Sequence, residues 1–154
     1  MTNAQTIALK VAAVLWVIWG LVHVLAGVII ISAPDAAGAV QAVADAVPKE
    51  DLMFDAHPAA SALYNQHGWN LGWIGVTTVV CAVFLWRGPV STSWRTAAWV
   101  AALTGGMADV GYFVFMDIGG YVNFIPGGLM TYVSASAILL SGWVWWSTRA
   151  ANAA

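Results

Sequence analysis

Four long apolar runs separated by polar segments determine the fold class of this chain. The runs cover residues 11–31, 68–86, 97–118 and 127–146. Each has the roughly 20 residues that a helix needs to cross the hydrocarbon core of a membrane. The pattern predicts an all-α integral membrane protein, a single four-helix transmembrane bundle over residues 1–154, with a long connection at 33–66.

Composition supports this class and excludes others. Hydrophobic residues make up 61% of the chain and charged residues only 8%, whereas soluble domains have about 25% charged residues. The five basic residues are spread along the chain and form no nucleic-acid-binding patch. The first run exceeds the roughly 7 to 15 apolar residues of a signal peptide, so we expect it to be retained as a helix.

The positions of the basic residues predict the topology. Lys10, Arg87, Arg95 and Arg149 flank the start of the chain, the second connection and the tail. By the positive-inside rule these places are cytoplasmic. We therefore expect a multi-pass protein of the inner (plasma) membrane with both termini in the cytoplasm and residues 33–66 outside. Tryptophans near the ends of the runs are typical of an aromatic belt.

The long connection is predicted to be partly helical. Val40, Val43 and Val47 follow helical spacing, and Pro34 and Pro48 bracket them. This pattern indicates a short helix over residues 35–47. We expect the connection to fold over the outer mouth of the bundle, with His57 facing the same opening.

One acidic side chain, Asp109, lies in the middle of the third run. A carboxylate at membrane depth costs at least ~2.5 kcal/mol, so such residues face the protein interior and are functional candidates. Asp109 follows Gly105 by four residues, and His23 lies between Gly20 and Gly27 in the first run. Both groups therefore share a face with small residues, which mark contacts between membrane helices.

His23 and Asp109 are also expected at the same depth. Each lies about 12 residues, or ~18 Å of helix, from the cytoplasmic start of its run, and both runs point in the same direction. An imidazole and a carboxyl group can act as base and acid. We predict that the pair lies within hydrogen-bond reach and forms the catalytic centre, if there is one.

A second set of polar residues predicts a ligand-binding vestibule leading to that pair. Its members lie mainly near the outer interface and are His67, Asn70, Tyr112, Asp117, Tyr121 and Ser134. Polar residues at a membrane boundary also cap helix ends, and hydroxyls also join helices, so a structural role remains open. No recognised metal-ligand spacing is present, so no metal site is predicted, and the sequence identifies no cofactor.

Three functional classes remain open. The sequence favours a protein that binds a lipophilic ligand or cofactor at His23 and Asp109, with proton-transfer chemistry as its reaction if it is an enzyme. An accessory or assembly subunit of a larger membrane complex is the first alternative, and a proton-coupled homodimeric transporter is the second. The expected partners are membrane lipid or a lipophilic small molecule, with a homo-oligomer or larger complex left open and no nucleic acid.

Overall fold

A computed structural model of the chain describes residues 1–52 and 58–151, and its long helices follow the apolar runs. The helices are α1 (Asn3–Ile31), α2 (Ala36–Gln41), α3 (Pro58–Arg87), α4 (Trp94–Ala101), α5 (Met107–Tyr112) and α6 (Leu129–Ala151). Two short 3₁₀ turns occur at Lys49–Leu52 and Gly88–Val90. The described residues contain no strand, so the predicted all-helical class is confirmed.

Within residues 1–52 and 58–151, four helical spans are long and apolar enough to cross a membrane. They are Asn3–Ile31, Pro58–Val90, Trp94–Asp117 and Phe124–Arg149. The first two begin well before the predicted residues 11 and 68, because polar or small residues extend each helix beyond its apolar run.

The third span differs from the uninterrupted helix that the sequence predicts. A π-helical turn at Ala102–Gly106 separates α4 from α5, and a second one follows at Phe113–Asp117. The short helix α5, which carries Asp109, therefore lies between two widened turns. π-Helical turns are rare in proteins overall, but those that occur are often found at functional sites.

The four spans pack side by side with antiparallel neighbours. Helix α1 packs against α3 and α6, and α3 packs against α4 and the Ala102–Gly106 turn. Helix α5 packs chiefly against α6. The third span therefore approaches α3 along its first half and diverges from it along its second half.

Glycines bring α1 and α3 into close contact. A Cβ atom added at Gly20 would lie 2.6 Å from the carbonyl oxygen of Gly75, and one at Gly68 would lie 2.8 Å from that of Gly27. Neither site has room for a side chain. This contact confirms the prediction that the glycine-bearing face of the first helix packs against another helix.

The two ends of the molecule differ in structure. At the terminal end, the Gln5 side chain donates a hydrogen bond of 2.9 Å to Ser147, and the Lys10 amine lies 5.2 Å from the ring centre of Trp86. The opposite end carries α2, and we call it the α2 end. Asp35 caps the N-terminus of helix α2, and its carboxylate accepts a 2.7 Å hydrogen bond from the Gly38 N–H.

Helix α2 is shorter than predicted. The helix expected over residues 35–47 stops at Gln41, and residues 42–47 form turns. These turns are held by the loop before α6, because the Asn123 N–H donates a 2.7 Å hydrogen bond to the Asp45 carboxylate. The Ala46 N–H also donates to the Tyr121 carbonyl at 3.1 Å.

Candidate functional site

Asp109 faces the interior, as the sequence predicts. Its residue surface is only 4% exposed. Gly105 and Gly106, one turn earlier, leave room for the ring of Trp16 and the end of the Ile138 side chain, respectively. The small residues thus let the third span approach α1 and α6, and this approach encloses the carboxyl group.

The hydrogen-bond partner of Asp109 is Trp19. The indole Nε1–H of Trp19 donates to Asp109 Oδ2 across 2.7 Å, and Trp19 itself is fully buried. Ser134 on α6 lies beside this carboxyl group, but its hydroxyl hydrogen is donated to the Thr131 carbonyl. A carboxyl group inside an apolar fold needs a donor such as the Trp19 indole, because an unpaired one would be costly to bury.

His23 is held by the same tryptophan. Its imidazole stacks on the Trp19 indole with ring centres 3.5 Å apart and planes inclined by 18°. His23 Nδ1 lies 2.8 Å from the Trp19 carbonyl oxygen. A carbonyl oxygen can only accept, so Nδ1 carries the proton that makes this bond.

The prediction that His23 and Asp109 lie within hydrogen-bond reach of each other is wrong. His23 Nε2 lies 3.9 Å from Asp109 Oδ1, beyond the 2.7–3.2 Å of an N–H···O hydrogen bond. The stacking on Trp19 and the bond at Nδ1 fix the imidazole and hold Nε2 at this distance. The two groups do face each other at one depth, as predicted, but Trp19 connects them.

The pair lies on the wall of a cavity of about 540 Å³. Spans 1, 2 and 3, the start of α6 and the turns after α2 all contribute to its lining. Its polar side chains belong to His23, Asp45, His67, Asn70, Asp109 and Tyr112. Its apolar side chains include Val22, Leu71, Ile74, Met107, Phe115, Met116 and Met130.

Five of the eight residues predicted as site residues line this cavity. They are His23, His67, Asn70, Asp109 and Tyr112. The Tyr112 hydroxyl packs against Gly127, where a side chain would collide with it. Asn70 is partly engaged, because its side-chain oxygen accepts a 3.1 Å hydrogen bond from the Trp73 indole.

The other three predicted residues lie outside the cavity lining. Asp117 packs beside Gly128, and its Oδ2 is buried with no hydrogen-bond partner among the described residues. Tyr121 is half-exposed and contributes its backbone carbonyl to Ala46. Ser134 is buried and donates to the Thr131 carbonyl at 3.1 Å.

The long connection lies at the α2 end of the cavity. Ala42, Val43 and Asp45 belong to the lining. Residues 42–45 of the connection therefore border the cavity, and closure of an outer mouth by the connection stays a prediction. His57, which the sequence placed at the same opening, lies outside the described residues.

Sequence reasoning missed Trp19, although a signal was present. Most of the ten tryptophans lie near the ends of the apolar runs, whereas Trp16 and Trp19 lie inside the first run. Trp19 precedes His23 by four residues and so shares its helix face. A buried indole N–H usually finds an acceptor, and Asp109 was the one carboxylate expected at that depth.

Metal ligation and comparisons with known proteins add no further assignment. Residues 1–52 and 58–151 contain no group of three or more His, Cys, Asp or Glu side chains placed to hold a metal ion. No protein-family model, curated protein or solved structure matches the chain.

Proposed function

We propose that this chain is an integral membrane protein that binds a lipophilic small molecule in the cavity beside His23 and Asp109. In each span, at most 33% of the most apolar 18-residue stretch is buried within the protein. The remaining apolar surface requires a lipid environment. We place the protein in the inner (plasma) membrane, and the orientation with both termini in the cytoplasm is supported by four basic residues towards the terminal end, Lys10, Arg87, Arg95 and Arg149.

The observation that carries the proposal is the convergence of His23 and Asp109 on a mainly apolar cavity. Its volume of about 540 Å³ falls within the 300–1,000 Å³ typical of small-molecule sites. Such sites combine apolar walls with a few polar groups that orient the ligand. This cavity favours ligand binding over an accessory subunit or a proton-coupled homodimeric transporter.

The chemistry that the pair supports is proton transfer. Because Nδ1 of His23 is engaged by the Trp19 carbonyl, Nε2 of the neutral imidazole has a free lone pair and can take a proton from a bound molecule. Asp109, 3.9 Å away, can donate a proton to the bound molecule, and the carboxylate that results stabilises the imidazolium. An isomerisation, in which the proton returns to the same molecule at another position, needs only this pair.

The test compares the molecules that the protein retains when it is purified in mild detergent. Ala26 lines the cavity, so Ala26→Phe should reduce its volume, whereas Ala135 is exposed on α6 outside the lining and Ala135→Phe is the matched control. We expect mass spectrometry of organic extracts to find the same retained species in the wild type and in Ala135→Phe. The species should be depleted in Ala26→Phe. Equal amounts in all three proteins, or none in any, would contradict the proposal.

A further inference from the structure

We propose that the ligand of this cavity is a lipophilic alcohol or phenol whose hydroxyl oxygen bridges His23 Nε2 and Asp109 Oδ1. This inference rests on the proposed function, because it names the ligand class of the same cavity. It follows from the hydrogen bonds that the two side chains already make and from those that they still lack.

Trp19 uses one polar atom of each side chain and leaves the other available. Its carbonyl accepts from His23 Nδ1, and its indole N–H donates to Asp109 Oδ2. Nε2 has no hydrogen-bond partner in the part of the chain that the structure describes, and its closest acidic neighbour is Asp109 Oδ1 at 3.9 Å. The site therefore presents two polar atoms, in fixed positions, to the cavity.

The distance between these two atoms suits a single bridging oxygen. An oxygen about 2.8 Å from each, a normal hydrogen-bond length, would subtend an angle of roughly 90° between atoms that are 3.9 Å apart. The two side chains are too far apart for a direct hydrogen bond. The space between them therefore fits one added polar atom.

The proton count favours an atom that both donates and accepts, as a hydroxyl oxygen does. A buried pair that shares one proton has no net charge, which the apolar surroundings favour. If the proton is on Asp109, the carboxyl group donates to the ligand oxygen and the ligand hydroxyl donates to Nε2. If the proton is on Nε2, the two bonds simply reverse. A hydroxyl group satisfies both arrangements, because it donates one bond and accepts another.

Ethers and carbonyls fit the pair less well. Both groups only accept hydrogen bonds, so either Nε2 or Oδ1 would be left without a partner. An unpaired buried polar group is unfavourable, and we expect an ether to bind at least about tenfold more weakly than its parent alcohol.

The apolar body of the ligand has a place between α3 and the third span. Leu71 and Ile74 line the α3 wall, and Met107 and Phe115 line the opposite wall. These two elements diverge along this half of the molecule, and Met107, which lines the cavity, is also 61% exposed at the surface. A ligand dissolved in the bilayer can therefore reach the pair from the side.

The experiment uses the whole chain in phosphatidylcholine nanodiscs and a C15 isoprenoid alcohol carrying a photoreactive diazirine. Cross-linked peptides are mapped by mass spectrometry, and unlabelled farnesol competes against farnesyl methyl ether, which lacks only the donor. We expect labelling of peptides that contain Leu71, Ile74 or Met107. We also expect farnesol to compete at least about tenfold better than the ether.

The outcomes separate this inference from the proposed function. Absence of cavity labelling in the wild type would overturn the alcohol as ligand class, and the comparison of retained molecules in Ala26→Phe and Ala135→Phe would decide separately whether the cavity binds another ligand. Cavity labelling that the alcohol and the ether block equally would overturn the hydroxyl assignment and leave the proposed cavity function standing. Both labelling readouts use the wild type, so neither depends on whether a variant folds.

Two variants then test whether His23 Nε2 and the Asp109 side chain bind the ligand hydroxyl. His23→Phe keeps a ring that can stack on Trp19 but removes Nε2, so the preference for the alcohol should disappear. Asp109→Asn can still accept from the Trp19 indole through its oxygen and donate to the ligand through its amide, so the preference should persist. Persistence of the preference in His23→Phe would contradict the bridge.

Discussion

The indole N–H of Trp19 donates a 2.7 Å hydrogen bond to Oδ2 of Asp109, across the gap between α1 and α5. The same residue stacks on the imidazole of His23 and accepts its Nδ1–H through the backbone. One buried tryptophan therefore fixes both of the groups to which we assign the chemistry. It should act as a positioning residue, and its removal should affect stability through a defined bond.

Trp19→Phe should destabilise the protein by about 1 to 2 kcal/mol more than Trp16→Phe, because only the first change leaves a carboxylate oxygen without its donor. Both tryptophans are fully buried, so the two changes remove similar packing. Trp16 is a matched control, since its Nε1 has no hydrogen-bond partner among the described residues. The measurement is reversible unfolding in mixed detergent micelles. Equal losses would show that the bond to Asp109 contributes nothing.

Gly20→Ala should destabilise the α1–α3 contact by about 1 to 3 kcal/mol, because backbone atoms cannot move aside as a flexible side chain can. The added Cβ would lie 2.6 Å from the Gly75 carbonyl oxygen and 2.7 Å from Thr78 Oγ1. Gly72→Ala on α3 is the control, since no atom lies within 4 Å of its added Cβ. The control should be neutral, or stabilising by up to about 1 kcal/mol through helix propensity. Thermal unfolding of the two variants would show the difference.

The proposed topology predicts opposite labelling of two engineered cysteines. In a Cys81→Ser background, Asp51→Cys should react with an impermeant thiol reagent on intact cells, and Thr92→Cys should react only after permeabilisation. Four basic residues flank the segments assigned to the cytoplasm. The reverse labelling pattern would invert the orientation and place the mouth of the cavity on the cytoplasmic side.

The sequence alone predicts the features that depend on whether a segment or side chain is more stable in lipid or in the protein interior. The four apolar runs predicted the four spans, because about 20 apolar residues in succession have few stable arrangements other than a membrane helix. The inward orientation of Asp109 followed from the cost of exposing a carboxylate to lipid. The cavity-lining positions of His67 and Asn70 followed from polar residues at the end of an apolar run.

The features that depend on side-chain geometry could not be predicted in this way. A periodicity argument assumes a regular helix and so misses the π-helical turns at Ala102–Gly106 and Phe113–Asp117, the first of which contains the glycines that pack against Trp16 and Ile138. The role of Trp19 required knowledge of which way its indole points. The rotation of α1 about its axis, which directs both Trp19 and His23, also sets the 3.9 Å between His23 and Asp109. Helix rise alone cannot give this distance.

The turns that border the cavity should depend on the Asp45–Asn123 contact. Asp45→Ala removes the acceptor of the Asn123 N–H, so hydrogen exchange at this amide should become faster. Asp45→Asn retains an oxygen at the same position and should change the exchange rate much less. Exchange would be followed by mass spectrometry in nanodiscs. Unchanged exchange in Asp45→Ala would mean that the turns are held without this bond.

The last prediction concerns the energetic coupling between His23 and Asp109. Although the two side chains make no direct hydrogen bond, they face each other at 3.9 Å and share Trp19 as a partner. Residues that share a partner usually have a coupling energy of about 0.5 to 3 kcal/mol. We therefore expect the double-mutant cycle of His23→Ala and Asp109→Ala to be non-additive by at least about 0.5 kcal/mol in unfolding experiments.

Two further cycles identify the source of this coupling. Asp117 lies outside the cavity lining, so His23→Ala and Asp117→Ala should be additive within about 0.5 kcal/mol. In a Trp19→Phe background the coupling between His23 and Asp109 should fall, because the indole no longer ties the carboxyl group to the residue on which the imidazole rests. A coupling of unchanged size in that background would show that the two groups act on each other directly across the cavity. Additivity in the wild-type background would instead separate His23 and Asp109 into two independent packing positions, and the acid–base function proposed for the pair would fail with it.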